Sequence, residues 1–462
     1  MTLWQHLNRL APVKTRPEED SSQTIKNMNP TTPEKQIHLP QGYPITGDDA
    51  APAPVNNRGW LVTFSGTGIN LALGILYAWS LTKGAIEKEF GWRAEQLNDP
   101  YALCCLVFAF AMILAGRCQD KFGPRLTASI GGLLVGAGFL LCSTTNGYGV
   151  WLLGFGVLAG IGIGFGYSSA TPPALKWFPP SKTGLIAGLV VAGFGLAPVY
   201  LAPTSQYLLG HYQVKSTMLI LGIAFTVIVC GLAQLLRNPP AGYVAGAKPA
   251  APGSAAKPAV TNSTPGEILR TPGFYLLWVI YFIGAGAGLM VIGSVSGMAK
   301  KSMGEAAFIA VAVMAIGNAA GRIVSGVLSD KIGRRWTLMI VLLFQAVLMF
   351  AAIPLVSSKT TAAVVIVLLA TFIGFNYGAN LSLFPSFTKD LWGLKAFGMN
   401  YGILFTAWGV GGLVLPRLQQ MLTARSGGSY TSSFITAGAL LIVGALLTFL
   451  IKPPAPKAVA QN

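Results

Sequence analysis

The sequence predicts an all-α polytopic membrane protein, with twelve transmembrane helices in two six-helix bundles related by pseudo-two-fold symmetry. Three observations predict it. First, the 462 residues are 53% hydrophobic and only 10% charged, with a mean hydropathy of +0.58. An ordinary soluble domain carries about 25% charged residues. This chain has too little polar surface for several globular bodies, whereas twelve helices of ~20 residues would occupy roughly half of it. Second, apolar runs alternate with short polar loops from Gly59 onward. Third, the halves repeat. Residues Gly116 to Arg125 and Gly326 to Arg335 both read G-x-x-x-D-K-x-G-x-R, offset by 326 − 116 = 210 residues. The same offset carries Tyr167 onto Tyr377.

The elements follow in order. Residues 1–57 are polar and proline-rich, without the apolar core of a signal peptide, and are expected to form a disordered cytoplasmic tail. An N-terminal bundle, 58–237, holds spans near 59–80, 98–117, 126–145, 150–172, 183–204 and 216–236. Residues 238–268 are rich in Pro, Ala and Gly, the composition of a flexible linker, here cytoplasmic. A C-terminal bundle, 269–451, holds spans near 273–297, 304–328, 336–356, 361–386, 397–416 and 431–451, and 452–462 is a second cytoplasmic tail. A long-period repeat of six-helix units marks transporters built from two similar bundles.

Charge sets the orientation. Lys+Arg number 32 against 15 Asp+Glu, a formal +17. With the termini inside, nine bases fall on the opposite loops and Arg322 in a span, leaving 32 − 9 − 1 = 22 on the cytoplasmic side. This is the positive-inside bias, and it implies a multi-pass protein of the cell (inner) membrane. Scattered over short loops without an aromatic-interleaved patch, the bases exclude a nucleic-acid partner. The partners expected are the lipid bilayer and a small solute, with the chain a monomer. The five cysteines lie in or beside apolar runs without metal spacing, and the three histidines sit in the tail or a loop. No nucleophile–base pair or metal set can be assembled inside the apolar body, so neither an enzyme nor a metal or cofactor is expected.

Arg322 is the strongest functional signal. It lies in the eighth span, eight residues or about 12 Å before Asp330 at the cytoplasmic end. A guanidinium at mid-membrane costs ~2.5–3.5 kcal/mol even on a lenient scale and marks function by default. The alternative is a structural tie to carbonyls of a neighbouring helix. The position 210 residues earlier is Met112, and a tie required by the fold should recur in both halves. All fifteen acids lie in tails, linker, loops or span ends, so Arg322 has no buried carboxylate partner. A carboxylate fits the guanidinium fork bidentately, and the missing counter-charge is read as the solute. Asn318, one turn away, shares its face. Tyr77, Tyr167 and Tyr377 can donate hydroxyls, with ordinary packing as the alternative. Asn376 and Asn380, beside Tyr377, and Asn70 should face the interior, because an amide facing lipid is costly. Trp79 reads as packing or interfacial belt. Asp120 and Asp330, with Arg125 and Arg334, read as gate latches at the membrane edge. The glycine strings at 160–166 and 284–288 imitate nucleotide loops but lie inside apolar spans, where they serve close helix packing.

The paired G-x-x-x-D-K-x-G-x-R loops resemble the loop motif of the major facilitator superfamily. The run Gly160 to Tyr167, then Lys176-Trp177-Phe178-Pro179, Ala192-Gly193-Phe194-Gly195 and Asn400 to Ala407, is similar to the oxalate/formate antiporter branch and its monocarboxylate transporter neighbours. The resemblance covers roughly residues 58–451. It implies a two-bundle fold with one central site and alternating access, and it places Arg322 on the family's arginine of span 8. In the oxalate antiporters a Lys stands in span 11 within Y-T-A-K-G; here the run is Phe405-Thr406-Ala407-Trp408-Gly409, so Trp408 takes that position. Leu76 stands where they have Gln, and Asn318 where many animal monocarboxylate transporters have Asp. With one base and an apolar Trp408 wall, the expected solute is a formate-, lactate- or pyruvate-like monocarboxylate. Exchange of oxalate or another dicarboxylate for formate is the alternative, and a non-transporting membrane sensor on the same fold is the alternative of another class.

Overall fold

The computed structural model describes residues 57–93, 96–240, 243, 245, 262–303, 307–357 and 363–452. The expectations for the two tails and for most of the 238–268 linker lie outside the described residues.

Among the described residues, twelve helices are long and apolar enough to cross a bilayer. The first six are α1 (Gly59–Leu76), α2 (Asp99–Phe122), α3 (Pro124–Thr144), α4 (Tyr148–Trp177), α5 (Pro180–His211) and α6 (Val214–Ala233). The second six are α7 (Pro272–Met290), α8 (Ala312–Ile332), α9 (Arg334–Leu355), α10 (Val364–Trp392), α11 (Phe397–Arg425) and α12 (Thr431–Leu450). A helix satisfies its own backbone polar groups, which is why apolar segments of this length adopt it in lipid. Large apolar side chains such as Phe64, Leu114, Val227 and Val347 remain exposed on the outer surface, where acyl chains would cover them.

Several helices run past the apolar stretches that announce them. α5 continues to His211 and α10 to Trp392, through Pro203 and Pro385. Hydropathy marks the part of a helix in lipid, not the polar turns that emerge from it. Proline is tolerated because neighbouring helices take up the freed carbonyls. The glycine string of α4 sits at a close crossing: a Cβ added to Gly131 of α3 would lie 2.6 Å from the Gly166 nitrogen and 2.7 Å from the Gly162 carbonyl oxygen.

The last linker residues dock on the second bundle. Thr264 and Glu267 form a capping box on the short helix Pro265–Ile268. The Ser263 amide donates to the Trp392 carbonyl at 2.9 Å, and the Asn400 side chain donates to the Ser263 carbonyl at 2.9 Å.

Candidate functional site

Two helix crossings join the bundles, and they are built alike. α5 carries Gly184, Gly188 and Gly195, and α11 carries Gly398, Gly402 and Gly409, with the same steps of four and seven residues. Gly184 faces the Gly326 carbonyl, Gly188 the Arg322 carbonyl, and Gly195 the side chains of Asn318 and Arg322. In the twin crossing Gly398 faces the Gly116 carbonyl, Gly402 the Met112 carbonyl and Gly409 the Ala109 methyl. None of the six leaves comfortable room for a methyl group, so α5 lies directly on α8 and α11 directly on α2.

Arg322 sits at the middle of α8, ten residues from each end, and is completely buried. Its Nε donates to Asn318 Oδ1 at 2.9 Å. Its Nη1 reaches across the bundle boundary and donates to the Val191 carbonyl of α5. Its Nη2 has no partner among the described residues. The guanidinium is therefore partly engaged in this state, by the kind of carbonyl tie that competed with a solute role. Among the described residues no carboxylate pairs with it; both ion pairs belong to Arg334.

Beside it stands an aromatic box contributed by both bundles. Phe108 of α2 meets Tyr167 of α4 at 5.5 Å, Phe194 of α5 at 6.0 Å, and Phe405 and Trp408 of α11 at 5.2 and 5.3 Å. Trp408 stacks on Phe405 at 5.0 Å and donates its indole N–H to the Tyr377 hydroxyl at 2.9 Å. That bond fixes the indole as a wall. Phe194 adjoins Gly195, and Tyr377 adjoins Gly378, which also packs on Asn318; the box and the guanidinium thus share their walls.

The structure therefore gathers Arg322, Asn318, Tyr167, Tyr377 and Trp408. Asn376 is not brought there. It is buried, its amide nitrogen donates back to the Phe372 carbonyl, and Asn380, one turn on, lies against Gly284 of α7. Tyr377 meets the same helix one turn on, at Gly288. The Tyr77 side chain lies outside the described residues. Trp79 is buried and donates to the Leu97 carbonyl at 3.0 Å, and Asn70 donates to the Val190 carbonyl at 2.8 Å.

At the loop-motif end each aspartate caps a helix of the opposite bundle. Asp330 accepts the Gly184 and Leu185 amides at 2.8 and 2.9 Å, at the start of α5. Asp120 accepts the Gly398 and Met399 amides, both at 3.0 Å, at the start of α11. Carboxylates are favoured there because helix N-termini present unsatisfied N–H groups and a positive dipole end. Arg334 adds a contact to Asp330 at 2.6 Å and one to Asp390 at 2.8 Å. Arg125 instead donates to the Leu236 carbonyl within its own bundle at 2.9 Å.

Sequence reasoning did not single out Phe108, Phe405 or Lys389. The buried Lys389 donates to Thr183 Oγ1 at 2.7 Å, a further tie from α10 to α5. A legible signal existed for the crossings: the identical glycine spacing on α5 and α11.

The Major Facilitator Superfamily model matches residues 59–416 and 297–462. The chain is 30% identical over 370 residues to an MFS-type transporter, YhjX, of Escherichia coli K12, covering 78% of this chain and 88% of that one. It is 29% identical over 384 residues to the oxalate:formate antiporter of Oxalobacter formigenes, covering 82% and 88%. It is 26% identical over 398 residues to monocarboxylate transporter 13 of Bos taurus, covering 85% and 89%. Among solved structures, the transporter FucP in its outward conformation is similar with a TM-score of 0.62 at 14% identity, over 84% of this chain and 98% of that one; this likeness speaks to the fold alone.

Proposed function

The chain belongs to the Major Facilitator Superfamily and is a secondary transporter, and from that premise we propose that it moves a small monocarboxylate by alternating access, with Arg322 holding the carboxylate. One observation carries this reading: a fully buried guanidinium at mid-bilayer has no acid partner among the described residues and an unpartnered Nη2. A cation placed there needs an anion to offset the penalty of leaving water. An incoming carboxylate takes Nη1 and Nη2 as a fork and replaces the Val191 carbonyl. Binding then loosens the α5–α8 crossing, which couples occupancy to rocking of the bundles. Asn318 keeps the fork oriented through Nε.

The aromatic box sets the size and charge of the solute. Trp408, fixed by Tyr377 and stacked on Phe405, lines the place where a second carboxylate would lie. Desolvating that second charge against neutral groups carries a penalty of several kcal/mol. Formate-, lactate- and pyruvate-like anions are therefore ranked above oxalate. The named oxalate:formate antiporter among the relatives keeps dicarboxylate exchange as the second reading. The termini and linker lie in the cytoplasm of a cell-membrane monomer, as the distribution of bases suggests. With no acid in mid-span, transport proceeds by exchange or facilitated diffusion, any proton travelling with the solute.

Counterflow of labelled formate, lactate, pyruvate and oxalate in liposomes tests the reading. Saturable monocarboxylate counterflow is expected, with oxalate weaker. Absence of counterflow for every carboxylate would favour a sensor, and tighter oxalate transport would favour the dicarboxylate reading.

A further inference from the structure

We propose that Arg335, Trp336 and Phe449 form a binding site for the phosphate of an anionic phospholipid headgroup, at the loop-motif end of the C-terminal bundle and away from the carboxylate site. Arg335 and Trp336 open α9, and Phe449 closes α12. The guanidinium carbon lies 5.4 Å from the Trp336 ring centroid and 5.3 Å from that of Phe449. The two rings meet edge-on, 6.1 Å apart and inclined at 87°, so they form a corner that holds the cation. Aromatic rings attract its charge but offer no lone-pair acceptor for its five N–H donors. Among the described residues Arg335 has no hydrogen bond or ion pair, and its Nε is buried without a partner.

The twin position shows what is missing. Arg125, 210 residues earlier, donates to the Leu236 carbonyl at 2.9 Å. That carbonyl is available because α6 ends at Ala233, before Leu236 is reached. Its counterpart, Leu446, lies inside α12, which runs on to Leu450, so the helix itself uses the carbonyl. The positions matching Trp336 and Phe449 are Leu126 and Pro239. The first bundle thus gives its arginine an acceptor from its own chain. The second gives its arginine two rings and leaves the acceptor to come from outside.

The surroundings select that acceptor. Trp336 and Phe449 are half-exposed, and Ile332 and Leu450 beside them are exposed apolar side chains on the outer surface. A tryptophan in such a place is an interfacial anchor, which sets the guanidinium at headgroup depth. A guanidinium takes phosphate oxygens as a fork. The exposed Lys331 and Lys452, close in sequence to Arg335 and Phe449, add positive charge. Asp330 and Asp390 are both held by Arg334, so neither is free to receive a headgroup ammonium. The site therefore takes a phosphatidylglycerol-like headgroup in preference to choline or ethanolamine.

The test is native mass spectrometry of the full-length protein in detergent, titrated with dioleoyl phosphatidylglycerol or dioleoyl phosphatidylcholine. One phosphatidylglycerol is expected to bind about tenfold more tightly than phosphatidylcholine. Arg335→Gln should abolish that preference, and Trp336→Leu combined with Phe449→Leu should weaken it, because the corner no longer holds the fork. Lys121→Gln removes a loop-motif charge from the other bundle. It should change the preference by less than about fivefold, the share of one base near a charged surface. Equal losses in Arg335→Gln and Lys121→Gln would reduce the effect to net charge and overturn the proposal. So would a preference that survives Arg335→Gln, or the absence of any preference in the unmodified protein. Glycerol 3-phosphate in large excess should leave the lipid bound; its displacement would mark a site for soluble phosphate and overturn the lipid assignment.

Discussion

The α5–α8 and α2–α11 crossings are two copies of one joint that differ at its centre. Both press a three-glycine face onto a helix of the other bundle, and both end in an aspartate capping the opposing helix. At the middle of one stands Arg322 beside Asn318; at the middle of the other stand Met112 and Phe108. The glycines and aspartates recur because both joints have the same mechanical task. On the proposed reading the arginine occurs once because a single anion needs a single fork. What repeats in this molecule is the close glycine packing and the capping aspartate; what breaks the repeat is the buried arginine and its asparagine.

The largest expected effect exploits that break. Arg322→Ala should lower transport by roughly 10²–10⁴-fold, the equivalent of the ~3–5 kcal/mol lost when a buried charge pair is broken. Met112→Leu, at the twin position, should leave apparent affinity unchanged, since a volume-conserving swap costs less than ~1.5 kcal/mol of stability. Arg322→Lys should restore transport only in part, because a point charge lacks the fork. Uptake assays in cells with matched membrane levels compare the three, and equal losses at 112 and 322 would erase the distinction.

The shared features should respond alike. Gly188→Ala and Gly402→Ala each thrust a methyl into a carbonyl, of Arg322 and Met112 respectively, and should both slow turnover strongly. Substrate protection against proteolysis should survive in Gly402→Ala, whose crossing carries none of the groups proposed to hold the carboxylate. A smaller contrast is expected between the latches. Asp330→Asn removes the anion facing two amides and in direct ion-pair contact with Arg334, whereas Asp120→Asn removes one facing two amides with Lys176 only near it and not in contact. Hydrogen bonds to charged groups are worth ~1.5–3 kcal/mol each, so the first change should open the loop-motif end more than the second. Spin labels at positions 182 and 331, and at 121 and 395, read the two separations directly. The smallest effect concerns selectivity. Trp408→Lys should shift preference toward dicarboxylates by about tenfold, ~1.4 kcal/mol, as competition by oxalate in counterflow would show.

The fold was legible because its signals are local: long apolar runs and a motif repeated at a fixed offset. Arg322 was legible for the same reason, since a charge inside an apolar run stands out. Its bond to the Val191 carbonyl was not, because every residue has a carbonyl and only tertiary structure decides which one is met. Phe108 and Phe405 were hidden because a phenylalanine in an apolar span looks like core. Asn376 was grouped with Tyr377 by adjacency, yet successive helical residues turn by about 100°, and the Asn376 amide bonds back to its own helix. Lys389 lay beyond the expected end of its span, in the turns that α10 adds past the apolar stretch.

The central claim is that one buried guanidinium binds one carboxylate, and equilibrium binding isolates it from the transport cycle. Labelled formate, lactate and pyruvate should be titrated against purified unmodified protein and the Arg322→Ala variant, both shown to be folded by the same thermal transition. Saturable binding of at least one monocarboxylate to the unmodified protein, absent from the variant up to concentrations roughly 10²-fold higher, is the expected result. Undiminished affinity in Arg322→Ala would contradict the account and return Arg322 to the role of a structural tie between α8 and α5.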